Sequence, residues 1–521
     1  MCKKNNLILF LAVLLLLTLN FISLGFAQEE KVLVIGMNTS PIVSLDPAKA
    51  YEFEGSWILD NIYDKLVRFK PGSASEIEPG IAESWEFDNN TITFTIRDGA
   101  KFSNGNPVDA EAVAYSLKRV AKLAQAPSWV ITQFGITEDS IQAIDNKVKI
   151  TMDKAYSPSL VLACMTYSVT GTVNPEITES NVKDDDMGMA YLSGSSAGSG
   201  PFKLVSWEKN QTLIFERNEH YWGPKPELDK IIIVDIPESS SQLLQLKGGS
   251  IDLAWNLDND QIPDIEQTEE LYVVSKPQFK LIYFGMNGQI SPTDNVLVRS
   301  AIKSAIDTDA IIKAVGGGST PLHSFVPEGM FAYYDGDEFP YDPEKAKELL
   351  TEAGYPDGFE TTLTVPDFLS TEGTVVKAYL EQIGIKTNLE VIAYTTLLGK
   401  YREQGLNMVI ARWGADYADP DANAKPFAHC RTTGEDATVK QLAWRNAYAN
   451  PEMTDMVEEA AFIQDREERE KVYIELQKKW QKEGVFEPLY QMSIQLGLNE
   501  KVGNFILNEL TQTPWELITI K

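Results

Sequence analysis

The stretch Glu78–Val120, EPGIAESWEFDNNTITFTIRDGAKFSNGNPVDAEAVAYSLKRV, changes its period halfway along. Thr91–Ile96 alternates in steps of two with β-branched residues, the pattern of a half-buried strand. Beyond Arg97-Asp98-Gly99 the spacing lengthens, and Val113, Leu117 and Val120 fall on one face of a helix. Asp109 stands where it can cap that helix. A strand followed by a capped helix sets an α/β reading.

The same style runs outward in both directions. Lys31–Met37 and Lys147–Met152 alternate as strands, and Lys230–Ile236 carries a buried Ile-Ile-Ile-Val centre. Phe202–Trp207 and Thr212–Glu216 flank a hairpin turn at Glu208–Gln211. Asp342, Pro343 and Gly354 bracket a helix by the rule of proline first and glycine last. Thr361–Val365, Leu389–Ala393 and Asn407–Trp413 read as further strands, and Glu452–Ile463 and Arg466–Glu483 as helices. No internal repeat interrupts this; the nearest approach to a flexible patch is SGSSAGSG, Ser193–Gly200.

Composition narrows the classes of function. The chain has 521 residues and a formal net charge of −29, which opposes nucleic acid and anionic lipid as partners. His220, His323 and His429 are too scattered for a zinc pattern, and no GxSxG, HExxH or Walker-type loop occurs. At the N-terminus, Lys3 and Lys4 precede the apolar run Leu7–Leu19, and Gly25-Phe26-Ala27 offers a cleavage site. This reads as a signal peptide over residues 1–27, too short in its apolar part to serve as a membrane anchor. Cys2 lies before the apolar run rather than after it, so a freely diffusing periplasmic protein is expected, without membrane insertion. Cys164 and Cys430 could form one bridge in that compartment, but nothing in the sequence brings them together.

One acidic stretch asks for an explanation: RWGADYADPDANAKPF, Arg412–Phe427. Its aspartates could bind calcium, act as a catalytic pair, grip a cation, or form a solvated turn. With Asp416 in first place, a calcium loop would need glycine sixth and an acid twelfth, where Asp421 and Phe427 stand. A catalytic pair needs a defined separation that sequence does not supply. Asp419 precedes Pro420, which favours a turn, so capping or solvation suits Asp419 and Asp421.

Several stretches together resemble the extracytoplasmic solute-binding proteins of family 5, the peptide- and nickel-type receptors of ABC importers. They are SLDPAKAYEFEGSWILDNIYDKLVRF (Ser44–Phe69), the Glu78–Val120 block, and GSGPFKLVSWEKNQTLIFERNEHYWGPKPELDKIIIVDI (Gly198–Ile236), with Ser199 where threonine is commoner. NVLVRSAIKSAIDTDAIIKAVGGGSTPLHSFVPEGM, YDPEKAKELLTEAGYPDG and YLEQIGIKTNLEVI follow in the family's order. The resemblance implies a two-lobed, type II-like periplasmic-binding-protein fold with a hinge of crossing strands. Lobe one would take 28–280 plus 492–521, with an extra subdomain at about 51–180, and lobe two 281–491.

The resemblance also assigns roles. Asp416 would pair with a ligand's α-ammonium, with Trp413 and Tyr417 beside it; Tyr51, Glu52 and Phe53 would pair with peptide backbone. Trp129, next to Ser128, would cover a ligand side chain. For Trp129 and Phe53 plain core packing is the alternative, and the Ser195–Ser199 turn offers either backbone amides or only a tight turn. Dipeptide receptors of the family carry an arginine after the strand corresponding to Thr361–Val365, but VPDFLSTEGTVVK has none. Arg412 is then either a substitute or a partner that neutralises Asp416 or Asp419. The expected protein is a monomeric, non-catalytic receptor without cofactor or metal, which hands an oligopeptide or dipeptide to an inner-membrane permease. A cationic amine or amino-acid derivative, an oligosaccharide or nickel are alternative ligands; a secreted peptidase or a ligand-presenting sensor are alternative functions.

Overall fold

Two long strands, Leu271–Met286 and Phe486–Asn499, pair antiparallel through the centre of the main sheet. They belong to a computed structural model that describes residues 30–521; the signal-peptide reading of 1–27 lies outside the described residues. On one side of this pair lie Leu253–Ala254, Val32–Met37, Lys230–Asp235, Thr212–Arg217 and Phe202–Glu208, in that spatial order. On the other side lie Met408–Gly414, Phe359–Pro366 and Ile385–Ile392. The long pair thus crosses between two halves, and the fold is the expected two-lobed α/β arrangement.

Each half has its own reason to hold. Leu33, Ile35 and Met37 alternate inward from a strand parallel to Lys230–Asp235, and meet Ile231, Ile233, Leu213 and Phe215 around the buried Trp515. In the other half Phe427 packs edge-on to Tyr283, Trp480 and Phe486. Pairing between the long strands slips where Pro277 faces Ser493 and Leu281 faces Gln491. Gln278–Lys280 bulge there, and Phe279 bonds elsewhere: its N–H donates to the Glu509 carbonyl, and its carbonyl accepts from Ala415 N–H, both at 2.9 Å.

The Glu78–Val120 block folds as its periods predict. Thr91–Ile96 lies in a four-stranded antiparallel sheet with Ala82–Asp88, Lys147–Thr151 and Ile141–Ile144. Ala110–Leu123 is a helix, and the Asp109 carboxylate accepts from Ala112 N–H at 2.9 Å. Arg119 on that helix pairs with Asp46, both fully buried. The apolar core of this region continues into that of the 281–490 region. Tyr156 joins Phe134 to Phe462 at ring separations of 4.9 Å, and Ser157 N–H donates to the Ala461 carbonyl.

Three readings need adjustment. The SGSSAGSG patch is not loose: Ala197–Gly200 are buried, and a side chain at Gly198 would meet the Ile62 carbonyl oxygen at 2.0 Å. The strand read from Leu389 begins at Ile385, because Ile385 and Thr387 bury while Lys386 and Asn388 stay outside. Cys164 and Cys430 are both buried free thiols, so they form no bridge. No helix among the described residues is long and apolar enough to cross a membrane.

Candidate functional site

Met408–Ala411 is buried in the sheet, and the strand ends at Gly414. A side chain there would be crowded: an added Cβ would lie 3.1 Å from the Phe53 ring and 3.3 Å from the Lys280 side chain, and both would have to give way. The chain then turns through Asp416 and enters the helix Asp421–Ala428. Its aspartates separate cleanly. Asp419 is buried against Arg469, whose guanidinium donates to both carboxylate oxygens at 2.6 and 2.7 Å. Asp421 accepts from the Tyr417 hydroxyl at 2.7 Å and pairs with Lys425 at 2.8 Å. Both are buried and paired rather than solvated, while the expected capping holds for Asp419, whose carboxylate also accepts from the N–H of Asp421, the first residue of that helix, at 3.0 Å.

Asp416 has neither partner. It is half-buried and forms no ion pair within 4.0 Å among the described residues. Burial pushes its carboxyl up to about 6, and the neighbouring Tyr51 hydroxyl offsets part of that. Trp129 donates its indole N–H to the Tyr51 oxygen at 2.9 Å, and the Tyr51 ring meets Tyr167 edge-on at 6.4 Å. Burial, then the Asp416 charge, pushes the Tyr51 hydroxyl up, so it stays a proton donor. Glu52 turns back, accepting from Tyr51 N–H at 3.2 Å.

The other predicted residues divide. Phe53 is half-exposed at the start of the helix Phe53–Ile62 and covers the Lys280 ammonium at 4.0 Å. Tyr417 is buried; it backs the Trp129 ring at 6.0 Å and offers nothing to the cleft. Trp413 is half-buried, donates to Asn423 at 3.0 Å and packs edge-on to Phe427. Arg412 neutralises neither Asp416 nor Asp419. It is exposed, with its guanidinium 5.0 Å over Phe368 and 5.7 Å from the Tyr394 ring.

Two cavities meet this group. A small one, about 40 Å³, is lined by Phe53, Tyr167, Lys280, Asp416, Leu510 and Gln512. A larger cleft of about 720 Å³ is walled by Asp258 and Asp260 on one side and by Phe368, Glu372 and Arg412 on the other. Tyr490 lies at its floor and donates to Glu372 at 2.6 Å. Lys280 is the residue that sequence reasoning missed. Its signal was a lone lysine in the apolar run Phe279–Phe284.

The residues 76–435 match the model of the bacterial extracellular solute-binding proteins, family 5, middle region. This chain is a family 5 solute-binding protein. It is 28% identical over 523 residues to the probable D,D-dipeptide-binding periplasmic protein DdpA of Escherichia coli, covering 97% of each chain. It is also 28% identical over 444 residues to the heme-binding protein A of Haemophilus influenzae, covering 80% of this chain and 79% of that one. Among solved structures it is similar to the periplasmic binding protein DppA of Helicobacter pylori in complex with the peptide STSA. That likeness has a TM-score of 0.74 and 28% identity over 94% of this chain and 98% of the other. The family is one of binding proteins rather than enzymes.

Proposed function

We propose that this family 5 protein captures a short peptide between its lobes in the periplasm and delivers it to an ABC permease in the inner membrane. The observation that carries the reading is Asp416, a half-buried carboxylate lining the small cavity beside Phe53 and Lys280, with no cationic partner within 4.0 Å among the described residues. Leaving such a charge without a partner is costly, and a ligand ammonium arriving on closure removes that cost. Tyr51, Glu52 and Phe53 would supply the opposing wall, where main-chain pairing would accept any side-chain sequence. The peptide-bound DppA structure and the D,D-dipeptide-binding name of DdpA support a peptide over a simple amine.

On this reading ligand contacts to both lobes favour the closed shape, and that shape is what the permease recognises. Residues 1–27 direct export and are removed, and the receptor works as a monomer without turning its ligand over. Native mass spectrometry of the purified protein, followed by denaturation and sequencing of what is released, tests the reading. Peptides of limited length are expected; a single non-peptide compound would contradict it.

A further inference from the structure

The region of the four-stranded sheet and the half of the main sheet that carries Asp416 touch along a line that takes in neither of the two long strands. At the candidate site the Trp129 ring lies 6.0 Å from that of Tyr417, and nearby the Gln133 side chain accepts from the Lys425 ammonium at 3.1 Å. Ser159 accepts from Arg469 at 3.0 Å. The segment 155–157 then meets the turn 461–464, which joins the helices Pro451–Ala460 and Arg466–Glu483. Ser157 N–H donates to the Ala461 carbonyl at 2.8 Å, and the Gln464 amide donates to the carbonyls of Ala155 and Tyr156 at 3.1 and 3.2 Å. The Tyr156 ring contacts Phe134 on its own side and Phe462 across the line, and the Lys154 ammonium stands 5.1 Å over Phe462.

Each side chain that donates across this line keeps a partner on its own side. Lys425 keeps Asp421 at 2.8 Å, Arg469 keeps Asp419 at 2.6 and 2.7 Å, and Gln464 keeps the Phe462 carbonyl at 2.9 Å. Across from them, Gln133 keeps the Val130 carbonyl at 3.0 Å and Tyr156 keeps the Phe134 ring. Separation therefore strands no charge, and it exposes a half-buried ring and hydrogen-bonding groups that water can take over. We propose that the line is a closing latch: it parts to admit the ligand and reseals, so that Tyr156 and Gln464 position the walls of the site without touching the ligand. This rests on capture between the lobes, as read above, and adds that the protein's own contacts hold part of the closure. A ligand that binds only the closed shape loses affinity in proportion to the molecules outside that shape, so a residue that holds the latch raises affinity from a distance. Trp129 ties the latch to the site, because it belongs to the line and donates to the Tyr51 hydroxyl that faces Asp416.

The test places spin labels at Lys149→Cys and Glu470→Cys, two exposed positions outside the contact and on opposite sides of it, in a chain beginning at residue 28. Cys164 and Cys430 are buried and take no label in the folded chain. The distance between labels is read by electron double resonance in the ligand-stripped protein. It is read again with a defined pool of di- to tetrapeptides bearing free termini, whose retention is weighed by native mass spectrometry. Without latch substitutions, the stripped protein should show a short and a long distance, and the pool should shift it to the short one. Tyr156→Ala should move the stripped protein toward the long distance and weaken retention about tenfold. Gln464→Ala, at an exposed position that the fold tolerates, should do the same with a loss of about threefold. Tyr156→Phe, which keeps the ring, should stay within about twofold of the unsubstituted latch. One short distance in every protein means that the line never parts and overturns the proposal; so do distances that neither alanine variant changes. If the pool is not retained at all, the peptide reading fails, while the stripped distances and their change in the variants still decide the latch.

Discussion

The indole N–H of Trp129 donates to the Tyr51 hydroxyl oxygen at 2.9 Å, and the same hydroxyl lies against the Asp416 carboxylate. With its oxygen engaged by the indole, the hydroxyl directs its own proton toward the carboxylate. Three residues far apart in sequence thus aim one charge. Tyr51→Phe removes the donor, and the Asp416 carboxyl should rise further above its present value of about 6. Calorimetric titration at several pH values should then show the midpoint of ligand binding moved upward.

The pH dependence of the wild type follows with a definite sign. The ammonium needs an ionised partner, and a carboxyl near 6 protonates as pH falls through that value. Affinity should hold at neutral pH and drop by about tenfold per unit below 6. A flat titration down to pH 5 would remove Asp416 from contact with the ligand.

Asp416→Ala should weaken ligand binding at least about tenfold without unfolding the protein, because the group has no internal cation to strand. Affinity and the thermal midpoint, measured on one preparation, separate the two effects.

Asp419 should behave in the opposite way. Its partner Arg469 is fully buried, so Asp419→Ala leaves an unpaired guanidinium in the core. A loss of about 3–5 kcal/mol is expected from chemical denaturation. The two variants would thus tell a binding aspartate from a structural one three residues away.

Much of this was legible in the sequence, for physical reasons that differ by residue. Asp109 and Asp342 announce helices because a cap works within its own turn: each carboxylate accepts from the N–H three residues on. The family blocks gave the fold and pointed to Asp416. What stayed hidden depends on contacts between distant segments. Tyr417 carries the same pattern as a cleft aromatic, yet Asp421 and Trp129 close over it. Arg412 reads as a partner for Asp416 by proximity in sequence, but strand alternation sends it to Phe368 instead. The neighbours of Lys280, Gly414 across the ladder and the Phe53 ring, come from segments far away in the chain.

The thiols offer a simpler check. Cys164 is fully buried and Cys430 nearly so, and burial pushes both upward, Cys430 to about 11. A chain beginning at residue 28 should show no reaction with a thiol reagent at neutral pH while folded. Both cysteines should react once it is denatured.

The central claim is that Asp416 reads a free ligand ammonium. The most direct measurement offers the ligand-stripped protein a mixed pool of short peptides and the same pool acetylated at the N-terminus, and compares what each leaves bound. The account predicts retention of the free amines and a loss of at least about tenfold on acetylation. Equal retention of the two pools would contradict it.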